Sequence, residues 1–312
     1  MNWEPKRPVA EEEIAAYERD GVVLLSGILD LELVERLAAE IDAMNDNPVG
    51  QTIDFTGLGM AMAGIKKTGN WSSSDRNWSE VQELGDRVLL DSKVAVRGEN
   101  RGHYMSATDT WKHNAFISEL TLNSPVPKIA AALMRSSKIY IYGDQILVKP
   151  PFTMERTAWH QDLGYDHIQG RQVCGVRIPT TVETPEMGQV EYWRGSHASG
   201  KVYKVNYFIS DSTDDDIGEP VPKILGHESD YEIIVYAPKP GDVIVHHLGT
   251  LHGAGGNASP TATRRAITIR YGGDDATYKF RRFAPPQDTV SPLLHDGDRL
   301  DGDPERFPRA EI

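Results

Sequence analysis

The sequence predicts a mainly β protein with flanking α-helices, its core a double-stranded β-helix of the jelly-roll type. Three observations predict it. From about 138 to 272, short apolar or alternating stretches recur with turn residues between them at regular intervals. Before 138 the periodicity is helical instead. Two histidines and an aspartate suited to one metal are separated by about ninety residues, and a sheet folded over itself would bring them together. A chain of 312 residues can bury a sizeable core, so we expect a single domain over 1–312. It divides into a mostly helical N-terminal layer with an insertion (1–137), the barrel (138–285) and a C-terminal tail (286–312).

The elements follow in order. Glu11 to Arg19 reads as a helix and Val22-Val23-Leu24-Leu25 as a short strand. Leu31 to Met44 carries an apolar stripe of Leu31, Leu33, Val34, Leu37, Ala38 and Ile41, with Asp30 as its N-cap. In 48–110 the glycines and Ser72-Ser73-Ser74 indicate loops, interrupted by a helix from Trp78 to Leu90. Residues 112–135 look helical, broken by Pro125 and Pro127. Tyr140 to Lys149 is a strand ended by Pro150 and Pro151. Gly241 to Leu248 is a turn feeding an apolar strand, and Ala266 to Tyr271 alternates. The aspartates of 210–216 lack the glycine and terminal glutamate of a calcium-binding loop and read as a solvated turn. The tail is expected to pack loosely or to reach a neighbouring subunit.

His160 and Asp162, with His252 in Leu251-His252-Gly253-Ala254-Gly255-Gly256-Asn257, offer two imidazoles and one carboxylate. Three ligands on one face leave the other positions of a metal open, which a non-haem Fe(II) oxygenase requires. On a strand, positions i and i+2 share a face, so His160 and Asp162 can point into one cavity. His246 and His247 compete for the third place; the glycines around His252 favour it, because they allow close backbone approach. Arg264 follows His252 by twelve residues and suits the bidentate grip of a carboxylate.

Trp159-His160-Gln161-Asp162, Glu191-Tyr192-Trp193-Arg194-Gly195-Ser196-His197, the His252 run and Arg264-Arg265-Ala266, in that order, resemble the phytanoyl-CoA dioxygenase-like family. Tyr17 to Leu25 looks like that family's opening, so the resemblance spans about 12–285. It implies a cupin-like barrel and a dioxygenase dependent on Fe(II), 2-oxoglutarate and O2. His160, Asp162 and His252 are then the metal ligands, and Arg264 anchors the far carboxylate of 2-oxoglutarate. It also implies that part of 48–110 packs over the cavity as a lid or substrate wall. One position departs from the pattern: Arg194 stands where the family usually has proline, a change in a loop near the cavity mouth. Related halogenases carry a small residue in place of Asp162. The carboxylate here favours hydroxylation, desaturation or ring formation.

Further candidates come from strand faces. Gln145, Leu147 and Lys149 share one, so Gln145 and Lys149 are candidate co-substrate contacts if that face is the inner one. Glu191 and Trp193 share another and are candidate substrate contacts. Asn257 reads as a turn former, and His167 and His197 as structural or at the rim.

A net charge of −13 argues against nucleic-acid and anionic-lipid partners, leaving a small-molecule substrate. No apolar run is long enough to span a bilayer, and the N-terminus lacks the apolar core of a signal peptide. The single cysteine, Cys174, excludes an internal disulfide and reads as a buried thiol, pointing to a cytoplasmic setting. Oligomeric state is unassigned. Two other readings compete with the oxygenase. A cupin-type metal enzyme that does not use 2-oxoglutarate leaves Arg264 unexplained. Against a non-catalytic binding protein on the same barrel stand the intact ligands.

Overall fold

The computed structural model describes residues 3–62, 88–91, 93–94, 102–211, 218–282, 284 and 289–312. Residues 78–87 of the expected Trp78–Leu90 helix, most of the lid region and most of the aspartate loop lie outside these residues; the described end, 88–90, is not helical, and Leu90 bridges Glu155 instead. The chain opens with α1 (Glu11–Asp20), β1 (Val22–Leu25) and α2 (Leu31–Asp46). The Asp30 side chain accepts a bond from the Glu32 N–H at 2.9 Å, the expected cap. Next come β2 (Gln51–Asp54), α3 (Phe55–Met62), β3 (Met105–Thr108), α4 (Ala115–Leu122) and α5 (Pro125–Met134). The prolines initiate α5 rather than merely interrupting a helix: Ser124 caps it and Pro125 takes the first turn, where no N–H is needed.

The barrel comprises β4 (Ile139–Lys149), β5 (Thr157–His160), the single turn α6 (Asp162–Tyr165) and β6 (Ile168–Gln169). It continues through β7 (Val173–Pro179), β8 (Val190–Trp193), β9 (Ile233–Val235), β10 (Val243–His247), β11 (His252–Ala254), β12 (Arg264–Gly272) and β13 (Thr277–Tyr278). The last strand is β14 (Arg309–Ala310). One antiparallel sheet runs β1-β10-β7-β12-β4-β3-β2, with β14 also on β4; a second runs β5-β11-β8-β9. The double-stranded β-helix is thus realised as two facing sheets that line one cavity.

Alternation along the large sheet divides its two jobs. Ile146, Val148, Val176, Ile178, Val243, Val245, Ile267 and Ile269 face outward and bury against Ile14, Leu33, Val34, Leu37, Ile41, Ile129 and Leu133 of the helices. The residues between them, among them Gln145, Arg177, His246, Thr268 and Arg270, face the cavity. The apolar side of these strands is therefore the outside of the barrel, sealed by the helical layer.

The tail is packed, contrary to expectation. Phe307 is fully buried against Tyr142, with ring centroids 5.9 Å apart, and the Ile141 N–H donates to the Pro308 carbonyl at 3.0 Å. Its proline and charge content hid two apolar anchors, Leu300 and Phe307.

Candidate metal centre

Strand β11 lies between β5 and β8, and its register sets His252 opposite His160 on one side and Tyr192 on the other. Ala254 pairs with Thr157, so two steps on β11 match three on β5. This bulge turns both Thr157 and His160 into the cavity although they differ in parity. β5 ends at His160, and Asp162 is the first residue of α6. A strand end and a helical turn, not an i/i+2 pair on one strand, bring His160 and Asp162 together. One ligand atom from each of His160, Asp162 and His252 lies within 4.8 Å of the others; His160 Nε2 is 3.9 Å from Asp162 Oδ1.

The imidazoles are aimed by their own strands. His160 Nδ1 donates to the Ala158 carbonyl at 2.8 Å and His252 Nδ1 to the Thr250 carbonyl at 3.0 Å, leaving each Nε2 lone pair for a metal. Burial lowers the pKa of both, and for His252 the neighbouring His160 lowers it further, so both are held neutral. A neutral imidazole is the form that ligates.

Asp162 is gripped from the large sheet. Gly143, Arg270, Gly175 and His246 stand in one cross-strand row. Arg270 donates to Asp162 Oδ1 at 2.9 Å, and His246 Nε2 donates to Oδ2 at 2.8 Å. Burial alone would raise the Asp162 pKa, but Arg270 and the His246 bond outweigh it and hold the carboxyl well below the usual range. Arg270 also donates to Gln145 Oε1 at 2.9 Å. The donor set, two neutral imidazoles and an ionised carboxylate, fits a divalent iron.

The cavity encloses about 530 Å³, its open mouth included. Besides the triad, Arg264 lines it and is 3 % exposed, with Nη1 donating to the Gly188 carbonyl. Gln145 lines it as well. Lys149 does not. Its ammonium donates to the carbonyls of Gly255 at 2.8 Å and Glu155 at 2.9 Å and lies over the Tyr104 ring, so it ties the barrel end together instead of contacting the cavity.

Glu191 and Trp193 are on the wrong face for the role expected of them. Val190 and Tyr192 line the cavity, and alternation turns Glu191 and Trp193 outward. Trp193 packs on Tyr231 with centroids 4.8 Å apart. Arg194 pairs with Asp20 at 3.3 Å and does not line the cavity. His246 lines it but contributes through Asp162, outside the three-residue cluster. Asn257 is fully buried and donates to the carbonyls of Lys149 and Ala262, as a turn residue would. His167 accepts from the Arg281 N–H, and His197 approaches the Glu18 carbonyl, both away from the cavity lining.

Sequence reading missed Arg177, Tyr192, Phe208, Thr268 and Arg270. Arg177 and Arg270 each interrupt an apolar strand, in Val176-Arg177-Ile178 and Ile269-Arg270-Tyr271, and that interruption was the available signal. Phe208 has no such mark. It holds a left-handed φ of 65° and sets its ring 5.0 Å from that of His160.

The model of the phytanoyl-CoA dioxygenase (PhyH) family matches residues 17–266. The ectoine dioxygenase of Sphingopyxis alaskensis is 20% identical over 277 residues, 86% of this chain and 77% of that protein. Among solved structures, the α-ketoglutarate-dependent carbocyclase SnoK from nogalamycin biosynthesis is 20% identical, with a TM-score of 0.62 over 100% of both chains. The epimerase SnoN, solved with Fe3+, α-ketoglutarate and nogalamycin RO, is 19% identical, with a TM-score of 0.63 over 96% of this chain and 97% of its own. At these identities the structural likeness establishes the fold. Among the described residues no helix is long and apolar enough to cross a membrane.

Proposed function

The chain belongs to the phytanoyl-CoA dioxygenase family of iron- and 2-oxoglutarate-dependent enzymes, and from that premise we propose that it hydroxylates an unactivated C–H bond of a small molecule. The observation that carries this is the convergence of His160, Asp162 and His252 within 4.8 Å, in the same cavity as Arg264. His160, Asp162 and His252 would hold the iron, the imidazoles through Nε2 and Asp162 through its carboxylate. Bound iron would supply the oxidising chemistry of an enzyme that consumes O2 and 2-oxoglutarate and releases succinate and CO2.

The chain's own residues do the rest. Arg270 and His246 keep Asp162 ionised and fixed in orientation. Arg264 receives the far carboxylate of 2-oxoglutarate through a charge-assisted fork. Leu147, Val190 and Phe208 form apolar walls that limit water at the reacting centre. On bound iron, Asp162 would fill the place that chloride needs in related halogenases, which favours oxygen insertion over halogenation.

Protein purified without oxygen is incubated with Fe(II), 2-oxoglutarate, ascorbate and O2, and succinate is quantified against a His160→Ala/Asp162→Ala variant. Slow substrate-independent succinate that vanishes in the variant is expected. A folded, iron-binding protein that makes none would favour a metal enzyme without 2-oxoglutarate or a binding protein on this barrel.

A further inference from the structure

A second buried guanidinium shares the cavity with Arg264. Arg177 sits mid-strand on β7, opposite Thr268 of β12 and Ile244 of β10, and is 5 % exposed. Its Nη2 donates to Glu183 Oε1. Its Nη1 is buried and, among the described residues, has no partner; nor does the buried Tyr192 hydroxyl. Arg177, Tyr192 and Arg264 all line the cavity. The two arginine heads converge on one loop: Glu183 takes Arg177, the Gly188 carbonyl takes Arg264, and Gln189 closes the loop by donating to the Glu183 carbonyl at 2.9 Å.

The charge here is unbalanced. Glu183 and Arg177 are the charged groups that act most on Arg264, Lys149 is a further cation that feels Arg264, and the Glu183 carboxylate is already bonded to Arg177. An unmatched buried charge is costly, and an unmade buried hydrogen bond adds to that cost. An incoming carboxylate between the two guanidiniums would relieve both. Along the inner face, the row of Arg177 and Thr268 lies between the row of Arg270 and His246, beside Asp162, and the Arg264 end. A dicarboxylate reaching from the metal to Arg264 must pass Arg177.

We propose that Arg177 is a second carboxylate-binding residue of the cavity, clamping the far carboxylate of 2-oxoglutarate together with Arg264 and the Tyr192 hydroxyl. This rests on the oxygenase reading above. Glu183 orients the guanidinium and leaves Nη1 for the ligand. The clamp selects 2-oxo acids that carry a second carboxylate over those that do not.

The test is binding, measured without O2 on Fe(II)-loaded protein, with 2-oxoglutarate and with pyruvate, which has the same 2-oxo acid head but no far carboxylate. Arg177→Met/Glu183→Gln removes both charges of the buried pair and so avoids stranding Glu183. It is expected to weaken 2-oxoglutarate about 10- to 100-fold, as loss of a charge-assisted bond does, and to leave pyruvate unchanged. Arg264→Met should show the same pattern. If the double variant does not fold, Arg177→Lys keeps the charge, loses the fork and should weaken 2-oxoglutarate several-fold. The proposal is overturned if 2-oxoglutarate affinity survives either Arg177 variant while Arg264→Met loses it, or if pyruvate weakens in parallel. A parent protein that binds Fe(II) but not 2-oxoglutarate overturns the oxygenase reading itself, and the clamp with it.

Discussion

Gly175 makes room for the imidazole that holds Asp162, and replacing it with alanine should disturb the metal site without touching a ligand. A Cβ there would lie 2.7 Å from His246 Cε1, 2.9 Å from its Nε2 and 3.2 Å from Thr268 Cγ2. Restoring an ordinary carbon contact of about 3.6 Å moves the ring by roughly 0.9 Å. The 2.8 Å bond from His246 to Asp162 is then stretched past the useful range. Overpacking costs about 1–3 kcal/mol, and the lost bond to a charged acceptor about 1.5–3 kcal/mol. Alanine regains roughly 0.5–1 kcal/mol over glycine in a strand, leaving a net loss of about 2–5 kcal/mol. For a chain of 312 residues that is a fall in Tm of roughly 3–8 °C. Fe(II) affinity should drop about tenfold as Asp162 loses its restraint. Gly143, in the same row across Arg270, is the control, because nothing lies within 4 Å of its Cβ position. Calorimetry of the metal-free proteins and Fe(II) titration compare the two variants. If Gly175→Ala melts and binds iron like Gly143→Ala, the row does not position the carboxylate.

Two further outcomes follow from side chains outside the triad. Lys149→Met strands the Glu155 and Gly255 carbonyls and should cost about 1–3 kcal/mol of stability, while 2-oxoglutarate affinity stays within twofold of the parent. A tenfold loss of that affinity would restore Lys149 as a co-substrate contact. Burial, with His197 and His246 nearby, pushes His247 down to about 4, and its Nδ1 accepts from the Gly249 N–H, a bond only the neutral ring allows. The unfolded chain therefore takes up this proton first, and stability is lost as pH falls from about 6.5 toward the folded value, at up to about 1.4 kcal/mol per pH unit. Denaturant titrations of His247→Gln between those limits should show a shallower slope than the parent. Taking the difference isolates His247 from Asp166, whose carboxyl burial pushes up to about 7 with the opposite sign. Equal slopes would exclude His247 as the source.

Much of the fold was legible because local periodicity reports burial directly. α1, β1 and α2 fall where the apolar spacing put them, and β4 runs to Lys149, where the prolines end it. The triad was legible because its residue types are chemically restrictive and the family's motifs appear in order. Strand faces were harder. Glu191 and Trp193 share a face, but Val190 and Tyr192 are the ones that line the cavity, and one residue of phase reverses every side chain. Lys149 does share a face with Gln145 and Leu147, yet that face closes over at the strand's end.

The residue types for metal and carboxylate chemistry, and most of the segments that form strands and helices, are written in local pattern. Local pattern carries that much, since a strand's alternation and a helix's stripe are set by residues a few positions apart. How Asp162 is held is settled by tertiary pairing: Arg270 and His246 reach it across 108 and 84 positions, and Gly175 leaves room for the His246 ring. The same assembly brings Arg177 and Arg264, on different strands, to one loop, where Glu183 takes the first and the Gly188 carbonyl the second. Burial, and the charge imbalance it makes costly, is a property of that assembly.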